Sequence, residues 1–303
     1  MFALDAGVLQ PLANWLDTAS GKAHGLFIRM TPEFVYFQVG DMTDATMLLV
    51  DIPRAACSEW TAPAGTVTHL FKLGTFRRVV GAVATTVRIT LPNERLQDCF
   101  VVELLSHARE LSILQVNALE QMTDFLEVDA YECSVALSAT FQHRELCSAL
   151  SWALGLGNEY YSLSVSAPAT LQFRATGNGK QSSSLVTMHA VHFGSVDSMP
   201  LFTGDAPADD PGDGSAPRTK RQAGTVAREP NTIFELRSDP AFEKVLFSIK
   251  SAELINRTSF SPTVKLSVLQ YPASYMLRFD YTMLNAPLLR IRSLMGTAIG
   301  EDD

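Results

Sequence analysis

The histidines and cysteines of this sequence are the residues best suited to binding a metal, and their spacing disfavours a metal site. His189 and His192 are three positions apart in a segment with strand character, so their side chains point to opposite faces of the strand. The cysteines form no C-x-x-C pair and lie in apolar segments, as buried thiols of an intracellular protein do. They are Cys57, Cys99, Cys133 and Cys147. We therefore expect no metal site.

The remaining motifs also give no catalytic constellation. The two Gly-x-Gly segments, at 155–157 and 177–179, lack the spacing and the lysine of a phosphate-binding loop, and turns explain them better. No serine lies in a nucleophile elbow. Carboxylates cluster between 120 and 129, but their neighbours give no reason for a shifted pKa, so a solvated acidic loop is the better interpretation. The sequence therefore predicts a protein that is not an enzyme and needs no cofactor.

Composition limits the remaining functional classes. The chain has 303 residues, 47% of them hydrophobic, which is enough for one large domain or two ordinary ones. Its net charge of −8 argues against a protein that simply coats nucleic acid, although a local basic face remains possible. We find neither a signal peptide nor an apolar run of the roughly 18 residues that a membrane span requires, so no membrane association is expected.

The two halves of the chain have the same order of predicted elements, which indicates an internal repeat. In the first half we predict strands at Phe2–Leu4, His24–Met30, Glu33–Val39, Thr46–Ile52, Val87–Thr90, Cys99–Leu105 and Leu111–Val116, and helices at Val8–Ala19 and near Thr75–Ala84. In the second half we predict strands at Cys133–Ala139, Tyr160–Ser166, Thr170–Arg174, Lys244–Ile249, Val264–Leu269, Met276–Tyr281 and Leu288–Ser293, and helices at His143–Leu154 and near Lys250–Phe260. The predicted fold class is α+β, with two similar domains that each pack two short helices on antiparallel sheets.

Two segments interrupt this pattern and set the predicted domain bounds. Residues 119–131 break the strand alternation and carry acidic residues around apolar ones, as expected of an interdomain connecting loop. Residues 203–230 are rich in glycine, proline and charge and have almost no large apolar residue, which predicts a disordered insertion. We therefore expect an N-terminal domain at 1–118 and a C-terminal domain at 132–303 that contains this insertion.

These features together resemble the PCNA-type DNA sliding clamp superfamily. The opening residues 1–5 with Leu9, Leu12 and Leu16 look like its first strand and helix, and 31–41 look like its strand–turn–strand ending in an aspartate. The acidic, apolar-lined connector and the acidic end at 301–303 also match. The turns at 42–45 and 91–95 depart from replicative clamps, and 102–106 look instead like a subunit of the heterotrimeric DNA-damage checkpoint clamp.

The resemblance implies a ring-forming subunit that encircles double-stranded DNA without reading its sequence and acts as a nuclear processivity factor for polymerase or repair proteins. A checkpoint-clamp subunit, or a scaffold that no longer encircles DNA, is the alternative. The family's helices line the hole of the ring, which makes these residues the DNA-facing candidates: Lys72, Arg77, Arg78, His143, Arg144, Lys250 and Arg257. The alternative is that they are ordinary solvated helix charges, and the helix at 8–19 contains no basic residue.

The resemblance also implies a pocket beside the connector that takes a partner's short 3₁₀ turn with aromatic anchors. Its expected wall is Ala45, Leu119, Met122, Phe125, Leu126 and Pro272. The alternative is that these residues only hold the connector to the core. The implied partners are a clamp loader and the other subunits of a homotrimer or heterotrimer. The strands expected to join neighbouring subunits are Leu111–Val116 and Leu185–Phe193.

Overall fold

The structure is a computed structural model whose described residues form two antiparallel sheets and three α-helices. It describes residues 1–19, 25–41, 46–81, 84–93, 98–106, 109–119, 125–127, 133–155, 160–166, 170–176, 183–189, 192–193, 245–248, 254–272 and 274–299. The predicted insertion at 203–230 and most of the connector lie outside these ranges. The predicted α+β class, with antiparallel sheets and short helices, is confirmed.

The first half contributes nine strands, two α-helices and a short 3₁₀ helix at Arg54–Ala56 within the described ranges. The strands and α-helices are β1 (Phe2–Asp5), α1 (Ala6–Ala19), β2 (Gly25–Met30), β3 (Phe34–Asp41), β4 (Thr46–Pro53), β5 (Glu59–Trp60), β6 (Val67–Lys72), α2 (Leu73–Val80), β7 (Thr86–Thr90), β8 (Cys99–Ser106) and β9 (Arg109–Asn117). Both α-helices are amphipathic and bury leucine, phenylalanine and valine side chains against the sheets. The sequence pattern missed β5 and β6, because β5 has only two residues and the residues of β6 are mostly half-buried.

The second half contributes nine strands and one full helix within the described ranges. They are β10 (Ser134–Gln142), α3 (His143–Gly155), β11 (Tyr160–Ser166), β12 (Thr170–Thr176), β13 (Ser183–His189), β14 (His192–Phe193), β15 (Val245–Ser248), β16 (Thr263–Tyr271), β17 (Ser274–Tyr281) and β18 (Arg290–Ile299). Of the helix predicted near 250–260, residues 254–256 are described and are helical.

Strand pairing repeats between the halves, as the order of predicted elements indicated. In the first half β1 pairs β5 and β7, β3 joins β2 to β4, and β8 joins β7 to β9. In the second half β10 pairs β14 and β16, β12 joins β11 to β13, and β17 joins β16 to β18. The predicted single strand Leu185–Phe193 is wrong in one respect: it is two strands, β13 against β12 and β14 against β10. β14 thereby takes the place that β5 has in the first half.

One strand pair joins the halves into a continuous sheet. β18 pairs β4 in antiparallel register from Arg290 opposite Asp51 to Met295 opposite Thr46. On the helix side of this junction, Trp15 of α1 packs edge-on against Phe260 and Tyr281 of the second half, with ring centroids 6.1 and 5.6 Å apart. The main hydrophobic core runs through this junction and includes residues of both halves.

Candidate nucleic-acid interface and peptide pocket

The helices form one connected surface, which we call the helical row: α1, α2, α3 and residues 254–260. α1 packs against α2 and, through Trp15, against Phe260. The 254–260 segment in turn binds α3, because Asn256 donates a hydrogen bond of 3.0 Å to the Ser151 hydroxyl. The helical row is therefore continuous from the first half to the second. A surface of this length can contact an extended ligand.

Four of the predicted DNA-facing cations are exposed on or beside this row. Lys72 directly precedes α2 and Arg78 lies in its last turn. Arg144 lies in the first turn of α3, next to the exposed acid Glu145, and Arg257 follows the helical residues 254–256. Their spread along the row would place positive charge at several separated points of a bound polyanion.

Arg77 is also exposed, but it is held against α1. Its Nη1 lies 2.8 Å from a carboxylate oxygen of Asp17, and its Nε donates to the side-chain oxygen of Asn14 at 3.0 Å. Asp17 therefore offsets the charge of Arg77, and the row is less cationic than a count of its basic residues suggests.

His143 has partners inside the second half. Its Nε2 lies 2.9 Å from the Ile255 carbonyl oxygen and 3.0 Å from the Thr258 hydroxyl, and the Cys147 sulfur is 3.4 Å away. The ring therefore holds α3 against the 254–258 segment. Burial raises the pKa of the Cys147 thiol to about 11, which keeps it protonated at neutral pH. Lys250, the last of the predicted DNA-facing residues, lies outside the described residues.

The described part of the connector, residues 125–127, is fixed across strands β2 and β3 by three sets of contacts. The Gln38 side-chain amide donates to the Leu126 carbonyl at 2.8 Å and accepts from the Leu126 amide at 2.9 Å, as a neighbouring strand would. The Phe125 ring packs edge-on against Phe27, with centroids 6.3 Å apart. Arg29 lies 4.8 Å from the Phe125 ring centroid and binds Glu127 at 2.7 Å.

A second hydrophobic cluster, which we call the outer cluster, covers the sheet face opposite the main core. Alternation along β4 shows this directly: Leu48 and Val50 belong to the main core, whereas Met47 and Leu49 belong to the outer cluster. The cluster consists of the buried residues Leu49, Leu269 and Leu294, with the half-buried Met47, Cys133, Val135, Tyr271 and Met276 around them. Sequence reasoning missed this set because its members come from five strands and from Cys133 just before β10, although alternation in β4 and β18 was a usable signal.

The predicted pocket residues lie at different distances from this cluster. Phe125 contacts β2 and β3, while Leu126 is 38% exposed above the same sheet face. Pro272 is exposed directly after Tyr271 of the cluster. Leu119 instead pairs with Leu70 of β6, where its amide donates to the Leu70 carbonyl at 2.8 Å. Ala45 and Met122 lie outside the described residues.

A cavity of about 220 Å³ lies beside the outer cluster and beneath the connector. Leu49 lines it from the cluster, Leu126 and Glu127 from the connector, and Asp51 and Arg292 from the sheet. Asp51 and Arg292 are each 5% exposed, and the Arg292 Nη2 lies 2.7 Å from the Asp51 Oδ2. An apolar surface thus continues into a charged one under the same loop.

Within the described part of the chain, strands β9 and β13 are two of the five strands that have a single partner strand; the others are β5, β6 and β14. β9 pairs only β8 there, and β13 pairs only β12. On β9 the side chains of Leu111 and Ile113 are 53% and 51% exposed on one face. An apolar edge strand of this kind is suited to pairing with another chain.

Neither a metal cluster nor a membrane helix is present among the described residues. No three of their His, Cys, Asp or Glu side chains come together in a way that could hold a metal ion. None of the helices described is long and apolar enough to span a bilayer.

Comparison with known proteins gives matches by structure and none by sequence. No protein family model matches the chain, and no curated protein does. Proliferating cellular nuclear antigen from Entamoeba histolytica matches with a TM-score of 0.66 at 11% identity, over 98% of both chains. The PCNA2–PCNA3 complex from Sulfolobus tokodaii matches with a TM-score of 0.65 at 9% identity, over 98% of this chain and 99% of that one. The chain therefore has the PCNA-type DNA sliding clamp fold along nearly its whole length.

Proposed function

We propose that this chain is a subunit of a ring that encircles double-stranded DNA and tethers polymerase or repair proteins to it. The observation that carries the proposal is the match to sliding clamp structures over 98% of each chain, together with a helical row that crosses both halves. In this role the chain is a nuclear processivity factor and not an enzyme.

The helical row is the proposed DNA-facing surface. Lys72, Arg78, Arg144 and Arg257 are exposed on or beside it and would contact phosphates, which supply affinity without reading sequence. Sliding requires such contacts to be few and interchangeable, and cations spread over separate helices satisfy that requirement. That Lys250 and His143 also face the DNA remains a prediction.

The proposed ring joint follows from the repeat. Inside the chain, β18 of the second half pairs β4 of the first. The repeat counterpart of β18 is β9 and the counterpart of β4 is β13, and each of these two strands has only one partner strand within the described part of the chain. Pairing of β9 of one subunit with β13 of the next would reproduce the pairing of β18 with β4 inside the chain. Three chains joined in this way would form a ring of six similar halves. The ring is a homotrimer or a heterotrimer with related subunits; the S. tokodaii structure is a complex of two different clamp proteins.

The outer cluster is the proposed floor of the partner pocket, with Leu126 and Pro272 at its border. Partners would insert the apolar side chains of a short peptide turn there, because methionine and leucine surfaces accommodate varied anchors. A clamp loader and the tethered enzymes are expected to share this surface.

A scaffold that keeps the fold but does not encircle DNA is the second candidate. The pairing of Arg77 with Asp17 favours it, because that pairing removes one cation from an already sparse helical row. A subunit of a DNA-damage checkpoint clamp is a variant of the ring proposal in which the neighbours are different chains.

The test is retention on nicked circular DNA, with a cell extract as the source of a loader. A ring is linked to the circle topologically, so it should survive a high-salt wash and leave when the DNA is linearised. Equal retention on circular and linear DNA would reject encirclement. Light scattering on the purified 33.1 kDa chain separates the assemblies, because a trimer supports self-assembly whereas a monomer leaves only the heteromeric ring or the scaffold.

A further inference from the structure

The outer cluster is bordered by a set of charged residues on the same sheet face, which we call the outer strip. Strand register places them: Arg278 lies opposite Leu294 of the cluster, and Arg292 lies opposite Leu49. Two further pairs extend the strip, Asp280 opposite Arg292 and Lys265 opposite Asp280. A peptide seated on the cluster would therefore have the strip directly beside it.

The outer strip contains more cations than carboxylates among the described residues. Asp51 is shared by two guanidiniums, Arg292 at 2.7 Å and Arg290 at 3.5 Å. Asp280 binds Arg278 at 3.0 Å and has Lys265 as its cross-strand neighbour. Four cations thus surround two carboxylates, a balance opposite in sign to the chain's net charge of −8.

Two of these cations are accessible to a ligand. The Arg290 side chain is 45% exposed and that of Arg278 is 21% exposed, whereas Arg292 is buried against Asp51 and the half-buried Lys265 faces Asp280 across the strands. Nearer the connector, Arg29 and Glu127 form a pair of opposite charges and add no net charge. A guanidinium that already shares a carboxylate keeps further N–H groups with which to bind a second one.

We propose that partner peptides bound by the outer cluster carry acidic residues beside their apolar anchors, and that these residues contact Arg278 and Arg290. The inference rests on the proposed function, because it specifies the chemistry of the peptides that the proposed pocket selects. The strip adds charge complementarity to an apolar surface: the cluster supplies affinity and the strip rejects peptides with basic flanks.

The probe is a set of fluorescein-labelled synthetic peptides that share two phenylalanine anchors and differ only in three flanking residues, all Glu, all Gln or all Lys. Affinity is measured by fluorescence polarisation at low and high salt. We expect the Glu-flanked peptide to bind about five- to thirtyfold more tightly than the Lys-flanked one at low salt, the effect of two partly exposed charge contacts. Salt should reduce this preference.

Three variants assign the effect to the strip. Arg278→Gln combined with Arg290→Gln should remove the preference for Glu and leave the affinity of the Gln-flanked peptide unchanged. Arg54→Gln combined with Arg88→Gln removes the same amount of positive charge outside the strip and the helical row, and should keep the preference. Met47→Ala combined with Met276→Ala should weaken all three peptides, which locates binding on the outer cluster. Melting temperatures check that every variant is folded.

Suppose that the Met47→Ala and Met276→Ala variant binds the peptides more weakly, but the wild type shows no preference for the Glu-flanked peptide or prefers the Lys-flanked one. This result would overturn the inference and leave the pocket in place. No binding of any flanked peptide would reject the pocket together with the inference. Residues 301–303 are acidic in sequence, so they are tested as a competing ligand of the strip. A preference for Glu that emerges only after these three are replaced by uncharged amides would assign the strip to the chain's own tail and overturn the proposal.

Discussion

Replacing Gln38 by alanine should release the connector from the sheet. Gln38 is 2% exposed, and both ends of its amide bind the backbone of Leu126, at 2.8 and 2.9 Å. In this way one side chain substitutes for a strand neighbour. The alanine variant removes both hydrogen bonds and leaves Phe125 and Glu127 with their own contacts to β2 and β3.

The magnitude follows from those two bonds. Each hydrogen bond contributes about 0.5–1.5 kcal/mol net, so the docked connector should lose about 2 kcal/mol. That loss corresponds to about a thirtyfold decrease in the hydrogen-exchange protection of the Leu126 amide. The free energy of global unfolding should fall by no more than this amount, because a detached connector regains hydrogen bonds to water. Peptide affinity should fall as well if the connector borders the pocket.

Amide hydrogen exchange on the wild type and on Gln38→Ala measures this directly, and proteolysis within 119–131 gives a second measure. Gln142→Ala is the matched control, because Gln142 is exposed at the end of β10. Unchanged protection at Leu126 in Gln38→Ala would refute the reasoning. So would a large loss of melting temperature with the connector still protected, since that would assign Gln38 to the folding core.

Three further predictions concern the helical row, the edge strand and a buried phenol. Lys72→Ala and Arg78→Ala should each lower the log–log salt slope of DNA binding by about one, whereas Arg77→Ala should lower it less because that guanidinium is already shared with a carboxylate. Ile113→Asp should convert an assembled ring to monomers in light scattering without lowering the melting temperature, because this side chain is 51% exposed. Burial raises the pKa of Tyr281, so the unfolded state loses this proton first and the unfolding free energy should fall as pH rises above about 10; Tyr281→Phe should flatten that slope in urea titrations.

Each of these predictions has an outcome that contradicts it. Equal salt slopes for Lys72→Ala, Arg78→Ala and the wild type would mean that DNA does not contact the helical row. A trimer that persists in Ile113→Asp would remove β9 from the ring joint. A pH dependence unchanged in Tyr281→Phe would assign the alkaline loss of stability to other groups.

The sequence predicted the fold well because its local patterns repeat. Alternating apolar runs located most strands, and the apolar spacing of residues 8–19 gave α1 to within two residues of its observed start. The pattern could not separate β13 from β14, because pairing with two different partners is decided by contacts far away in the chain. It also missed β6, whose side chains are mostly half-buried.

The sequence named only some of the residues that the structure brings together at the candidate site, whose role stays a prediction, and the reason is geometric. Leu126 and Phe125 could be named from their place in an acidic loop, but the outer cluster needs Leu49, Leu269 and Leu294 from three separate strands. Leu119 was expected in the pocket, whereas the structure shows it paired with β6. Sequence gives the residue types of a surface, and only strand register tells which of them meet.

The junction of β4 with β18 has a consequence for how the chain is made. Asp51 and Arg292, which meet there, are 241 positions apart in the chain, so β4 leaves the ribosome long before its partner exists. Until β17 and β18 are synthesised, the first half cannot close its core against Tyr281, and its sheet edge at β4 stays open. A chaperone that covers β4 during translation would protect the nascent chain, and truncation before β18 should yield an aggregating product in place of a stable first half.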